Sequence, residues 1–271
     1  MDKDRVPVVP RGVPFLIRAM NDDSLSFADI ARAIEHVPSV AARLLALANS
    51  AWSAPLQPIT SLEKACGRLG MRVVRTTSLA LAISQPFNPA RCPAFDGAIF
   101  WSSTLLNAEA AAWVEQHAWR TDAGTARTAG LLSNLGLIWL AESLPIQTTT
   151  ALEQARDAAD GRLNDRLRVV CGLGYDEAGA LLAETWRLPV ALRDAIAQQF
   201  DETADAAPLA RLVRGAARMA NCVRNERDWC EPDPGLTRLG LDMPTQLAGI
   251  RYMNAIRSKT LELAETVFLG H

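Results

Sequence analysis

The stretch His36–Arg75, HVPSVAARLLALANSAWSAPLQPITSLEKACGRLGMRVVR, decides the fold because it carries three helix signals in succession around an Ala-Asn-Ser corner. Pro38 suits a first helical position, where its missing N–H is no loss. From there Val40, Leu44, Leu47, Ala48 and Ala51 recur at helical spacing and mark one face for a core. Trp52 to Pro58 is too rich in proline to continue that helix. Thr60 followed by Glu63 predicts a capping box that opens a second helix, Gly70 ends it, and a third runs from Met71 to Ser84.

Outward from this segment the same period dominates. Alanine and leucine are abundant, alternating β-branched runs are absent, and the chain reads as all-α. With 271 residues, 49% hydrophobic and 21% charged, it is long enough for a sizeable core and ordinary for a globular protein. The 28 basic and 30 acidic side chains leave a net charge of −2, so no global field draws it to nucleic acid or anionic lipid and such binding would have to be local. Five scattered cysteines, Cys66, Cys92, Cys171, Cys222 and Cys230, with no C-x-x-C, predict reduced thiols. The N-terminus lacks the apolar run of a secretory signal, and no later segment reaches span length without a charge or proline. The expectation is a cytoplasmic protein with no membrane partner.

Pro7, Pro10 and Pro14 suggest an extended arm over residues 1–14, followed at once by a helix, and Ser26 with Asp29 three positions on predicts a capped helix through FADIARAIEHV. QPFNPARCPAFD, residues 85–96, holds three prolines and is the best boundary in the chain. It divides an N-terminal helical bundle of residues 1–90 from a second helical bundle of residues 95–271. Helices are predicted there over Ile99–His117, Thr121–Leu144, Thr149–Ala159, Leu163–Cys171, Asp176–Trp186, Val190–Phe200, Pro208–Arg224 and Pro244–Leu269. Breaks fall at Gly161 and in the loop Glu231–Gly235.

The first bundle, with its ARLLALANSA, SLEKACGRLGMRVVR run, resembles the HDOD domain, a bacterial signalling module related to the HD phosphohydrolases. The second half resembles that superfamily too. AGLLSNLGLIWL is similar to its "AGLLHDIGxLxL" helix, with Ser133 and Asn134 in place of His-Asp. FWSSTLLNAEAAA puts Ser103 at the first histidine position, and GLGYDEAGALLAETWRLP puts Tyr175 at another while keeping Gly179, Trp186, Leu188 and Pro189. DAIAQQF ends in Gln199 and Phe200 where paired histidines would stand, and LVRGAARMAN has Ala217 at the last metal-binding aspartate. In active relatives such positions hold a divalent ion whose bound water attacks a phosphoester, chemistry that needs imidazole nitrogens and anionic oxygens. The resemblance therefore implies a degenerate, non-catalytic regulatory module without metal or cofactor, whose partner is a signalling protein or a small effector. The alternatives are a metal-dependent phosphohydrolase of the HD type and a nucleotide- or nucleic-acid-binding regulator.

Independent reading of the residues agrees on the missing ligands. The three histidines, His36, His117 and His271, have no ligand spacing. Asp176-Glu177 and Asp201-Glu202 could be asked to form a carboxylate site, but both read better as first-turn acids that complement a helix dipole. There is no G-x-S-x-G elbow, and no Ser or Cys has a positioned histidine.

Candidate binding residues remain. Asn49 and Ser50 are polar groups at the end of an Ala/Leu helix, readable as a C-terminal cap anchoring the next loop or as ligand contacts. Trp52 is either a core plug or an aromatic anchor. Arg68, Arg72 and Arg75 recur at i, i+4 and i+7 with Gly70 interrupting, while Arg211, Arg214 and Arg218 share one face of one helix. Either stripe could grip an acidic partner or a phosphate, with Arg214 nearest the substituted metal positions, or could be a solvated face paired with local acids. A working surface between the two bundles should show an apolar or arginine-bearing groove.

Overall fold

The computed structural model describes residue 7 and residues 12–157, 163–203 and 205–269. Among these residues it is all-helical: fifteen α-helices, one 3-10 turn and one π-turn, with no strand. Of the expected arm, Pro7 and residues 12–14 are described, and the Pro7 carbonyl accepts a 2.8 Å hydrogen bond from Trp186 Nε1. The break expected at Gly161 lies outside the described residues.

Local chemistry sets most helix starts. Helix α1, Val13–Asn21, carries Pro14 in its first turn, and so takes in the last proline of the expected arm. Helix α2, Phe27–Glu35, has the predicted capping box: Asp29 N donates to Ser26 Oγ at 3.3 Å and Ser26 N to Asp29 Oδ2 at 3.0 Å. Those bonds and the nearby Arg32 hold the Asp29 carboxyl down at about 2. Helix α3, Pro38–Asn49, buries Val40, Leu44, Leu47 and Ala48; Ala51 lies past its end and is exposed, because the face stops with the helix. The cap of α4, Leu62–Leu69, is Ser61 rather than Thr60, with Lys64 N donating to Ser61 Oγ. Gly70, at φ +83°, closes α4 and opens α5, Met71–Ser84, where a side chain would be strained.

Residues 85–96 contain a 3-10 turn, Pro89–Arg91, and lead to α6, Gly97–Ala118, capped by Asp96. Helix α6 is apolar on nearly every side and is the axis of the molecule, as an all-round hydrophobic helix must be buried. The single helix expected over 121–144 is two, α7, Ala123–Leu132, and α8, Leu135–Ser143, broken at Ser133-Asn134. Then follow α9, Pro145–Asp157; α10, Leu163–Cys171; α11, Tyr175–Thr185; α12, Val190–Ala197; and α13, Pro208–Arg224. The EPDPG loop is only half a loop, since Asp233 caps a short α14, Pro234–Arg238. Asp242 caps α15, Met243–Ala264, which passes into the π-turn Glu265–Leu269.

One core cluster runs from Val13 of α1 through Leu79, Trp101, Trp139 and Leu182 to Val267, so residues on both sides of 85–96 share it. A second cluster joins α6, α13 and α15 through Leu106, Trp113, Met219 and Met253. Trp139, 1% exposed, is the largest fully buried side chain, and burial of a side chain of that class stabilises the fold by about 2–3 kcal/mol. The five cysteines are free thiols, and burial pushes Cys66 up to about 11.

Candidate functional site

The break between α7 and α8 faces α6 and the end of α12. Ser133 is fully buried; its Oγ donates to Gly130 O at 2.7 Å and accepts from Asn107 Nδ2 at 3.4 Å. Gln199, also buried, donates Nε2 to Ser133 O at 2.9 Å and to Ile196 O at 3.0 Å. Asn134 Nδ2 reaches Thr104 Oγ1 of α6 at 3.4 Å. Ser133, Asn134 and Gln199 are therefore brought together, but as a hydrogen-bonded plug. Asn107 and Thr104, one turn beyond Ser103 and beside it, complete that plug. They were legible only as polar residues in an apolar helix.

The remaining expected positions surround it. Tyr175 opens α11 and packs edge-to-face on Phe200 at 5.2 Å, and burial, then Asp176, raises the Tyr175 hydroxyl well above its usual range. Phe200 itself is exposed on its far side. Ser103 and Ala217 are half-buried on α6 and α13, and Ser103 makes no side-chain hydrogen bond among the described residues. Backbone packing is tight here: a Cβ on Gly136 of α8 would lie 2.5 Å from Gly179 N of α11.

A divalent ion does not fit this donor set. The side chains are hydroxyl, amide, aromatic and methyl groups, and Gln199 aims N–H, not oxygen, at the Ser133 carbonyl. No group of three His, Cys, Asp or Glu side chains among the described residues could hold a metal. His36 and His117 are spent on helix ends, with Nδ1 2.8 Å from Arg32 O and Trp113 O; His117 stacks on Trp113, and His271 lies outside the described residues. The acid pairs are committed too. Glu177 accepts from Gly174 N at 2.7 Å and pairs with Arg168, as does buried Asp176. Asp201 and Glu202 lie in the loop before α13, not in a first turn, and Glu202 pairs with Arg218 at 2.9 Å.

The binding candidates in the first bundle converge on one loop. Asn49 Nδ2 donates to Leu45 O and Ile59 O, and its Oδ1 accepts from Ile59 N, each at 2.8 Å, so both ends of the amide anchor the loop. Ser50 Oγ donates to Leu47 O at 2.7 Å. Arg68 donates to Ser53 O and, at 3.0 Å, to Ala54 O, beside the left-handed Ala54 at φ 44°. Trp52, half-buried, donates Nε1 to Lys259 O at 3.2 Å and lies under the Lys259 ammonium at 4.9 Å. The loop so clamped holds Leu56 fully exposed between Pro55 and Pro58.

The first arginine stripe is not a continuous face, while the second does lie along one helix. Because Gly70 breaks the helix, Arg68 turns to the loop, while Arg75 is buried against Asp23 and donates to Asp22 O at 2.6 Å. Arg72 donates to Tyr252 OH at 2.6 Å and lies 3.7 Å from buried Glu109, which Arg127 approaches to 3.8 Å. Burial pushes the Glu109 carboxyl up, and Arg127 and Arg72 pull it part of the way back. On α13, Arg214 is buried and donates to Asp201 O, Arg218 pairs with Asp233 and Glu202, and Arg211 leaves Nε without a partner among the described residues. Burial and then the Arg218 charge lower the Arg214 pKa.

A groove of about 680 Å3 does lie between the two halves, walled by α3, α5, the 85–97 segment, α6, α8 and the π-turn. Among the described residues its one charged lining residue is Arg43, on none of the expected stripes. Arg43 shares a face of α3 with Ser39 and Val40, a signal visible as i, i+1 and i+4 spacing.

The structure defines an all-helical protein in which Ser133, Asn107 and Gln199 join in a buried hydrogen-bonded plug. The HDOD domain family matches residues 6–202, and the chain belongs to that family. Comparison with curated proteins finds no match. Solved structures share the fold. A provisionally assigned signal transduction protein from Marinobacter aquaeolei VT8 superposes with TM-score 0.79 at 20% identity, over 97% of this chain and 60% of that one. A provisionally assigned phosphohydrolase from Shewanella amazonensis SB2B gives TM-score 0.72 at 22% identity, over 98% and 96% of the two chains. An HDOD domain protein of unknown function from Geobacter sulfurreducens gives TM-score 0.70 at 19% identity, over 98% and 94%. No helix among the described residues is long and apolar enough to cross a membrane.

Proposed function

We propose that this HDOD protein is a non-catalytic regulatory module that acts by binding a signalling protein in the cytoplasm. The observation that carries the non-catalytic reading is the Ser133–Asn107–Gln199 plug: Ser133 and Gln199 spend their hydrogen bonds on Asn107 and on backbone carbonyls. The likeness in fold to a signal transduction protein is consistent with such a role. The clamped 51–59 loop supports a location for the contact. It presents an apolar side chain, Leu56, on a backbone already ordered by Asn49, Arg68 and Trp52, so little entropy is lost when a partner covers it.

Two measurements test this. Purified protein with Mn2+ or Mg2+ and a chromogenic phosphodiester should show no turnover above a heat-denatured control; metal-dependent turnover abolished by Asn134→Ala would overturn the non-catalytic reading. Capture from host extract should retain a reproducible protein that Leu56→Glu releases. Capture that yields no reproducible protein, or one held equally by the variant, removes the loop from the account.

A further inference from the structure

We infer that the groove beside Arg43 is a binding site for a small, flat aromatic molecule carrying one negative charge. Its volume, about 680 Å3, suits a ligand of modest size, and it combines aromatic and aliphatic walls with a few polar groups. Trp101 and Phe268 stack at 3.9 Å with planes 7° apart and form one rigid wall; Phe87, Leu81 and Ile138 line the groove as well. Flat walls of this kind favour a ring over a branched aliphatic group.

The charge follows from Arg43. Among the described residues it is the one ionisable cation on the lining, and none of those that line the groove is a carboxylate. Among the described residues the guanidinium has no acid partner; its one protein hydrogen bond is from Nη1 to Val267 O at 3.3 Å. A planar fork of donors with most of its hydrogen-bonding capacity left matches a carboxylate, sulfonate or phosphate. Ser39 and Gln85, which share a 2.7 Å hydrogen bond at the rim, offer further polar contacts. This site needs neither the Leu56 contact nor the plug, and its test uses no protein partner and no phosphoester.

The test compares two fluorescent probes of similar shape, the anionic 8-anilinonaphthalene-1-sulfonate and the neutral N-phenyl-1-naphthylamine, on the full chain. The anionic probe should bind saturably at one site per chain, more tightly than the neutral one, and weaken as salt rises. Arg43→Gln should weaken the anionic probe about tenfold and leave the neutral one unchanged, and Arg43→Lys should keep most of the preference. Ser84→Trp, which fills the groove, should weaken both. Equal affinity for the two probes in the unaltered protein, no loss on Arg43→Gln, or indifference to Ser84→Trp would each overturn the assignment. The salt series on unaltered protein decides the matter should the Gln variant fail to fold.

Discussion

Replacing Gly136 with alanine tests whether the glycine of the SNLG segment is there for packing. Helix α8 crosses α11 so closely that the new Cβ would collide with the Tyr175 carbonyl oxygen and lie 2.5 Å from Gly179 N and 2.9 Å from Tyr175 C. These are backbone atoms, which cannot swing aside as a side chain can, so the two helices have to part by about an ångström. Overpacking of this severity costs about 3 kcal/mol, offset by no more than about 1 kcal/mol from alanine's better helix propensity. For a chain of this length the net loss of about 2 kcal/mol should lower the unfolding midpoint by roughly 4 °C in thermal denaturation followed by circular dichroism. Gly67→Ala on the exposed side of α4 is the control. A Cβ there meets nothing within 4 Å, and the same substitution should stabilise by about 0.5–1 kcal/mol. A Gly136→Ala protein that melts with or above the unaltered one, or two variants that shift in the same direction, would refute the close-crossing account.

Gln199→Ala strips the Ser133 and Ile196 carbonyls of a buried donor and should cost about 1–3 kcal/mol in urea unfolding; a neutral result would mean the plug is not a structural element. Asn49→Ala removes two hydrogen bonds to the loop at Ile59 and one within α3, and limited proteolysis should then cut within residues 51–59 faster than in the unaltered protein. Glu109→Gln should flatten part of the pH dependence of stability. Burial raises the folded carboxyl above 4.5, so its contribution is full below that pH and is lost as pH rises through the folded value. The unaltered protein should therefore lose ground to the Gln variant as pH climbs from 4.5, and parallel curves would contradict this.

Much of the architecture was readable where a local rule and the tertiary outcome agree. Ser26-Asp29, Pro38 and Gly70 each act within a few residues, and α5 and α13 run over the predicted spans for the same reason. The split at Ser133-Asn134 was hidden because apolar residues continue on both sides of it. What stops the helix is distant: Gln199 takes the Ser133 carbonyl, and α11 presses on Gly136. The Thr60 cap missed by one position because Thr60 and Ser61 are chemically alike, and only the backbone trajectory chooses between them. The family resemblance named Ser133, Asn134 and Gln199 together and the fold does gather them, whereas their partners Asn107 and Thr104 showed only as polar residues in an apolar helix. A groove between the bundles was expected but its lining was not readable, since its walls come from six separate elements and Arg43 looks like any solvated arginine on its helix.

Helix α15 and its π-turn hold the first bundle through Arg72 on Tyr252, Trp52 on Lys259 O and Arg43 on Val267 O, across separations of 180, 207 and 224 residues. These anchors lie beyond residue 202, where the family match ends. A ribosome makes the chain from the other end. At about 5–20 residues per second, Trp52 waits roughly ten to forty seconds after its own synthesis before Lys259 exists to receive it. During that interval the 51–59 loop has lost one of its clamps and the aromatic wall of the groove lacks Phe268, so the nascent first bundle offers an indole and an open apolar trench to whatever chaperone is at hand.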